Sequence, residues 1–262
     1  MNPILKIDDV HKTLRGLKVL RGATLEVMPH EVVGLIGGSG EGKSVLLKHA
    51  AGLMRPDHGH VYVDGDDLCC LSRRHKQSFY DRLGFLFQNG ALFDSLSVYE
   101  NITFPLREQG LGEQEIRERI RTVLGHVGLE GSEEKLPGQL SGGMLKRAAL
   151  ARALIKFPEI MLFDEPTTGL DPLIVRTIHN LIHSCQRELN YAGIIVTHEI
   201  PAIFGLVQKV AFLYEGRIRF YGTPEEVHQT NDPVLREFID SATMTEDPVT
   251  WHGCLGTNNG GA

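Results

Sequence analysis

Apolar and polar side chains alternate over residues 4–8 and again over 19–28, which predicts two strands paired through a turn near Arg15-Gly16. The continuous apolar run Val32-Val33-Gly34-Leu35-Ile36 predicts a buried strand, and a helix is predicted over 43–53. Arg55-Pro56-Asp57-His58-Gly59 reads as a turn, and His60 to Gly65 as a strand ending in a turn. Residues 73–82 have a helical pattern and Leu83-Gly84-Phe85-Leu86-Phe87 that of a strand. The character then changes. Residues 97–109 and 113–127 carry helical periodicity, with Glu113, Glu115, Glu118 and several arginines forming a solvated face. A helix over 141–156, a strand over 159–163, a helix over 172–189 and a strand at Gly193-Ile194-Ile195-Val196 follow. Residues 207–221 read as a hairpin around Glu215-Gly216, and helices at 224–230 and 232–241 close the pattern. The alternation of strand and helix argues for an α/β fold with a mostly parallel sheet covered on both faces. The first strands form an antiparallel β subdomain, and about 89–156 reads as an inserted helical lobe.

Between the strand at 32–36 and the helix after it stands Gly37-Gly38-Ser39-Gly40-Glu41-Gly42-Lys43-Ser44-Val45, which fits the phosphate-binding pattern G-x-x-x-x-G-K-[ST] in its required strand–loop–helix setting. The glycines let the backbone bend around an anion with several N–H groups pointing inward. The helix N-terminus adds roughly half a positive charge. Lys43 is placed to bridge β- and γ-phosphates and the Ser44 hydroxyl to hold Mg2+. The nine residues Gly37 to Val45 are therefore the nucleotide-binding candidates.

Composition narrows the class. The chain has 262 residues, 42% hydrophobic and 23% charged, enough for a large core in one domain with an inserted lobe. Its net charge of −6 argues against a general nucleic-acid binder. No apolar run approaches the roughly 18 residues of a membrane span. The start, Met1 to Asp9, lacks a basic leader, so a cytosolic location is expected. Cys69, Cys70, Cys185 and Cys254 have no C-x-x-C spacing, and neither metal nor disulfide roles are expected of them. His179 and His183 stand four apart and are expected to be a surface pair on their helix.

Ile160-Met161-Leu162-Phe163-Asp164-Glu165 is an apolar strand ending in two carboxylates. Ligands of parallel sheets sit at the carboxyl ends of strands. Asp164 is thus placed to hold Mg2+, directly or through water, and Glu165 to orient or deprotonate a water attacking the γ-phosphate.

Leu140-Ser141-Gly142-Gly143-Met144 opens a further helix and makes a second anion-facing N-terminus. With the two motifs above, it resembles the ABC transporter ATPase family from about residue 4 to 241. The resemblance implies a P-loop NTPase core of the RecA-like kind and further site residues. Gln88 falls at the Q-loop, which senses the γ-phosphate and Mg2+ and couples to the membrane partner. Asp171, in Gly169-Leu170-Asp171, matches the D-loop that touches the opposite subunit. His198 matches the switch histidine that contacts the γ-phosphate. It also implies that Ser141, Gly142 and Gly143 of a second copy cover the γ-phosphate, so that ATP joins a head-to-tail dimer and hydrolysis releases it. A separate integral-membrane permease would receive that motion, near Gln88 to Asn101.

Two departures from the family pattern are informative. Leu14 stands where an aromatic residue usually stacks on adenine. Losing base–aromatic stacking, worth ~1–3 kcal/mol, predicts roughly 5- to 100-fold weaker binding, partly recovered by apolar contact, and comparable ATP and GTP turnover. Met144 stands where the family usually has Gln. Together with the loop motif, Phe87 to Leu96, Phe104 to Glu108 and Asp232 to Phe238, it makes the chain similar to the Mla/Mce-type lipid-transport ATPases. That resemblance implies ATP-driven phospholipid movement from the cytoplasmic side of a bacterial inner membrane. Its implied partners are a permease, an Mce-domain lipid-binding protein and a small STAS-domain protein. Another cargo, such as amino acids, metal chelates or lipoproteins, is the alternative. A soluble ABC ATPase acting on ribosomes or DNA usually carries two cassettes or a long coiled coil, and a non-hydrolysing regulator would need a broken site. The ATPase domain is expected to span 1–242. Residues 243–262 form a polar, Gly-rich tail, expected to be disordered in the free monomer and to reach across the dimer with Trp251 as anchor.

Overall fold

The computed structural model describes residues 2–106 and 109–243. The first two strands, β1 (Leu5–Leu14) and β2 (Leu17–Val27), are antiparallel and run longer than the alternation alone predicts. They turn at Arg15 and Gly16, both at positive φ (50° and 82°), the backbone that a two-residue hairpin needs. β3 (Val32–Ile36) leads into α1 (Lys43–Ala50). Then follow β4 (His58–Val63), the two-residue β5 (Asp66–Asp67), α2 (Arg73–Asp81) and β6 (Leu83–Leu86). The helices α3 (Val98–Thr103), α4 (Glu113–Val127) and α5 (Gly142–Leu154) come next. β7 (Ile160–Asp164), α6 (Pro172–Leu189), β8 (Ala192–Val196), β9 (Lys209–Tyr214), β10 (Arg217–Gly222), α7 (Pro224–His228) and α8 (Pro233–Thr243) complete the described chain.

Six strands form one sheet in the order β10-β9-β3-β8-β7-β6. Its pairs are parallel except for β9 with β10, which turn at Glu215 and Gly216. The other four make an antiparallel sheet in the order β2-β1-β4-β5. The period of two sorts the parallel strands between two cores. Val32 and Ile36 of β3, with Met161 and Phe163 of β7, pack with α3 to α6. Val33 and Leu35, with Ile160 and Leu162, pack with α1 and the antiparallel sheet. β3 is thereby buried at every residue, which is why it reads as an unbroken apolar run.

Two expectations need correction. The helix predicted over 97–109 ends at Thr103 and continues only as a 3-10 turn, Phe104–Leu106. Pro105 has no N–H to give and restricts the residue before it. The start of α3 is fixed by a capping box between Ser97 and Glu100. His179 and His183 do not form a surface pair: His179 is buried, while His183 is exposed. Cys69, Cys70 and Cys185 are free thiols. Cys254, Trp251 and the tail from 244 onward lie outside the described residues. Among the described residues, no helix is long and apolar enough to cross a membrane.

Candidate functional site

The phosphate loop leaves the carboxyl end of β3 and enters α1. Two of its glycines are required by space as well as by backbone. Gly37 has φ +151°, and a Cβ there would collide with the carbonyl oxygen of Leu213. Gly42 has φ +100°, and a Cβ would stand 2.7 Å from Val19 Cγ1. No side chain caps α1, so its first-turn amides keep their hydrogen-bonding capacity. Lys43 is 7% exposed and turns back to donate to the carbonyls of Gly37 (2.7 Å) and Gly38 (2.8 Å). Burial lowers its pKa, opposed by the negative charges of Glu165, Glu41 and Asp164. Glu41 braces the loop from outside, its carboxylate accepting from the Glu215 N–H at 2.6 Å.

The sheet carries the acids to this loop. β7 pairs with β6 on one side and β8 on the other, and its last residue, Asp164, accepts from Ser44 Oγ at 2.7 Å. Glu165 follows with positive φ (48°), its N–H bonded to the Val196 carbonyl at 3.0 Å. That turn presents Glu165 to three side chains. Its Oε2 accepts from Thr168 Oγ1 (2.7 Å) and Gln88 Nε2 (3.2 Å), and lies 3.7 Å from His198 Nδ1. Lys43, Ser44, Gln88, Asp164, Glu165 and His198 are thus brought together from four separate segments. Ser44 and Asp164 present hard oxygen atoms at one point, a donor set that fits a small divalent cation. Among the described residues, no group of three or more His, Cys, Asp or Glu side chains forms a metal cage.

Ser141, Gly142, Gly143 and Asp171 open helices of their own, and Gly142 lines a cavity with Gln88 and Thr168. Ser141 caps α5 by accepting from the Met144 N–H at 3.3 Å, and Asp171 caps α6 by accepting from Leu173 and Ile174. A Cβ on Gly143 would lie 2.9 Å from Ile174 Cγ2, so α5 packs closely on α6 there. Among the described residues, no hydrogen bond joins these four to the phosphate loop. Ser141, Gly142 and Asp171 are exposed. Leu14 is half-buried at the tip of the β1–β2 hairpin, opposite Leu17.

Sequence reasoning missed four contributors. Val19 is the β2 side chain that meets the phosphate loop at Gly42. Thr168 holds Glu165. Lys146, 8% exposed, donates to the Gln88 carbonyl, and Arg152 donates to those of Gly90 (2.8 Å) and Ala91 (2.7 Å). Both cations lie on α5, so the segment after β6 is fastened to the helix that Ser141 opens. The available signal for this pair was a set of three cations, Lys146, Arg147 and Arg152, on a helix otherwise made of Gly, Ala, Leu and Met. Beside the same segment runs an apolar groove of about 530 Å³, lined by Phe85, Phe87, Ala91, Phe93 and Pro105. Phe87 and Phe93 are 36% and 44% exposed.

Residues 20–168 match the family model described as "ABC transporter". Among curated proteins, the chain is 36% identical to the "Probable ribonucleotide transport ATP-binding protein mkl" of Mycobacterium tuberculosis, across 94% of this chain and 73% of that one. It is 37% identical to the "Intermembrane phospholipid transport system ATP-binding protein MlaF" of Haemophilus influenzae, across 86% of each. Among solved structures, it resembles the ATP-binding cassette MJ0796, a dimer in a post-hydrolysis state bound to ADP and Pi. The TM-score is 0.76 at 29% identity, covering 84% of this chain and 98% of that one.

Proposed function

The chain belongs to the ABC transporter family, and from that premise we propose that it is the ATP-hydrolysing subunit of a phospholipid-moving ABC system. The observation that carries the chemistry is the convergence of Ser44 and Asp164, at 2.7 Å, beside the Glu165 cluster. In this reading residues 1–242 are the ATPase domain, with about 89–156 as its helical lobe. The loop amides and Lys43 hold the β- and γ-phosphates, Lys43 exchanging the carbonyls of Gly37 and Gly38 for phosphate oxygens. Val19 and Leu14 offer apolar contact to the base. Ser44 and Asp164, with Gln88 beside them, would hold Mg2+, which when bound offsets charge on the phosphates. Glu165 orients and deprotonates the attacking water, steadied by Thr168 and Gln88. His198 faces the γ-phosphate.

Two copies would enclose the nucleotide head to tail. The exposed Ser141-Gly142 edge of one copy, with Gly143 packed behind it, covers the phosphates held by the other, with Asp171 at the joint. The apolar groove from Phe85 to Pro105 suits a permease segment, on the cytoplasmic face of the inner membrane. Motion there reaches Gln88 directly, because Lys146 and Arg152 tie that segment to α5. The phospholipid cargo is supported by the name of the MlaF relative and by Met144 in the signature segment. Mce-domain and STAS-domain partners follow from the same likeness. The 36% identity to a protein named for ribonucleotide transport favours a second cargo class. Purifying the tagged chain from its native cell in mild detergent separates the two. A copurifying permease with an Mce-domain protein and bound phospholipid supports lipid transport, whereas a permease with bound nucleotide cargo supports the second reading.

A further inference from the structure

One side chain of α6 has a position that packing alone does not explain. His179 lies eight residues after Asp171 and is 5% exposed. Its neighbours on the buried face of α6 are Ile178, Ile182 and Cys185. An apolar residue would fill that place without desolvating an imidazole. The ring Nε2 stands 3.3 Å from Glu199 Oε2, and both atoms are buried with no hydrogen bond, to each other or to any other described group. Burial pushes the His179 pKa down against the pull of the Glu199 carboxylate, so the ring is neutral at neutral pH.

Glu199 directly follows His198. Its N–H donates to Thr197 Oγ1 at 3.0 Å, and its carbonyl accepts from Ile203 N–H at 3.2 Å. Ile200 N–H donates to the His198 carbonyl at 3.1 Å. These bonds close the loop on itself. The Glu199 carboxylate is what reaches out of it to α6.

We propose that His179 and Glu199 are a positioning pair for His198, fastening the loop that carries it to the helix that begins at Asp171. The inference rests on the proposed role of His198 at the γ-phosphate. It gives the Asp171 end of α6, placed at the joint between copies, a mechanical route to His198. From Asp171 to His179 that route is about 12 Å of continuous helix.

The test is steady-state ATP turnover by the full chain in its native membrane complex, with thermal melting as a folding control. His179→Val is expected to lower kcat about tenfold and to change the ATP KM less than about twofold, the pattern of an interaction that matters to turnover rather than binding. His179→Gln, which keeps a polar side chain facing the Glu199 carboxylate, is expected to recover most of the loss. His198→Ala should cost more, and adding His179→Val to it should cost nothing further, because both act through one group. If His179→Val does not fold, Glu199→Ala removes the same tether from the loop side and carries the same expectations. A native kcat in the folded variant, or losses that multiply with that of His198→Ala, would overturn the pair. A native kcat in His198→Ala itself would overturn the reading of His198, and the pair with it.

Discussion

Two helices of this molecule open with glycine-rich segments, and they open differently. α1 has Gly42 as its N-cap, at φ +100°, with no side-chain cap. α5 has Ser141, at φ −69°, whose hydroxyl accepts from the Met144 N–H. In the first case the loop curls back so that Lys43 donates to the Gly37 and Gly38 carbonyls, and no side chain occupies the first-turn amides. Under the proposed function, this loop holds the phosphates within one copy. In the second, one first-turn donor is already committed and Gly143 is wedged against Ile174. What remains is an exposed Ser141-Gly142 edge. The comparison teaches that a helix N-terminus becomes a site or a surface according to the backbone that precedes it. Under the proposed function, one copy's cradle needs the other copy's edge.

Substitutions can break this contrast from either side. The largest effect is expected from Glu165→Gln, which keeps shape and hydrogen bonding but cannot take a proton. Its kcat should fall about 10²- to 10⁴-fold with ATP affinity unchanged, read by phosphate release beside equilibrium binding, and near-normal turnover would remove Glu165 from the mechanism. Lys43→Ala removes the cradle's buried cation, and ATP affinity should fall about 100-fold in nucleotide titrations. Unchanged affinity would place the phosphates elsewhere. Ser141→Ala tests the edge. ATP binding by one copy should stay within about twofold, while ATP-induced dimerisation of the Glu165→Gln chain weakens roughly five- to tenfold by sedimentation, the value of about one hydrogen bond. A loss of binding in the single copy would show that Ser141 belongs to the cradle after all. Leu14→Tyr should have the smallest effect, lowering the ATP KM roughly fivefold and raising preference for ATP over GTP by restoring a stacking face. Strict ATP selectivity in the unaltered chain would count against the base contact assigned to Leu14.

How much of this was legible beforehand depended on distance along the chain. The helix predicted over 172–189 coincides with α6, because both ends are set locally. Asp171 caps its start ahead of Pro172, and Asn190 ends it in the left-handed conformation. The pattern over 97–109 misled because helical periodicity continued past Pro105. His179 and His183 show a subtler limit. Residues four apart on a helix are rotated by about 40°, and the border between the buried and exposed faces of α6 passes between these two. Spacing told that they were neighbours, not which side of that border each would take.

The apolar strands, most helix boundaries and the Gly-rich connection between β3 and α1 were legible in the chain alone, since capping, turn conformation and periodicity act over a few residues. The sequence also marked Asp164 and Glu165 as strand-end acids. Which side chains those acids meet is set by the assembled fold. Ser44 reaches Asp164 across 120 residues, Gln88 reaches Glu165 across 77, and Lys146 reaches the Gln88 carbonyl across 58. Those meetings follow from β7 lying between β6 and β8 in one register and from α5 packing beside them. Strand order and register are settled by burial of whole faces at once, a property of the assembled sheet that no short stretch of chain contains.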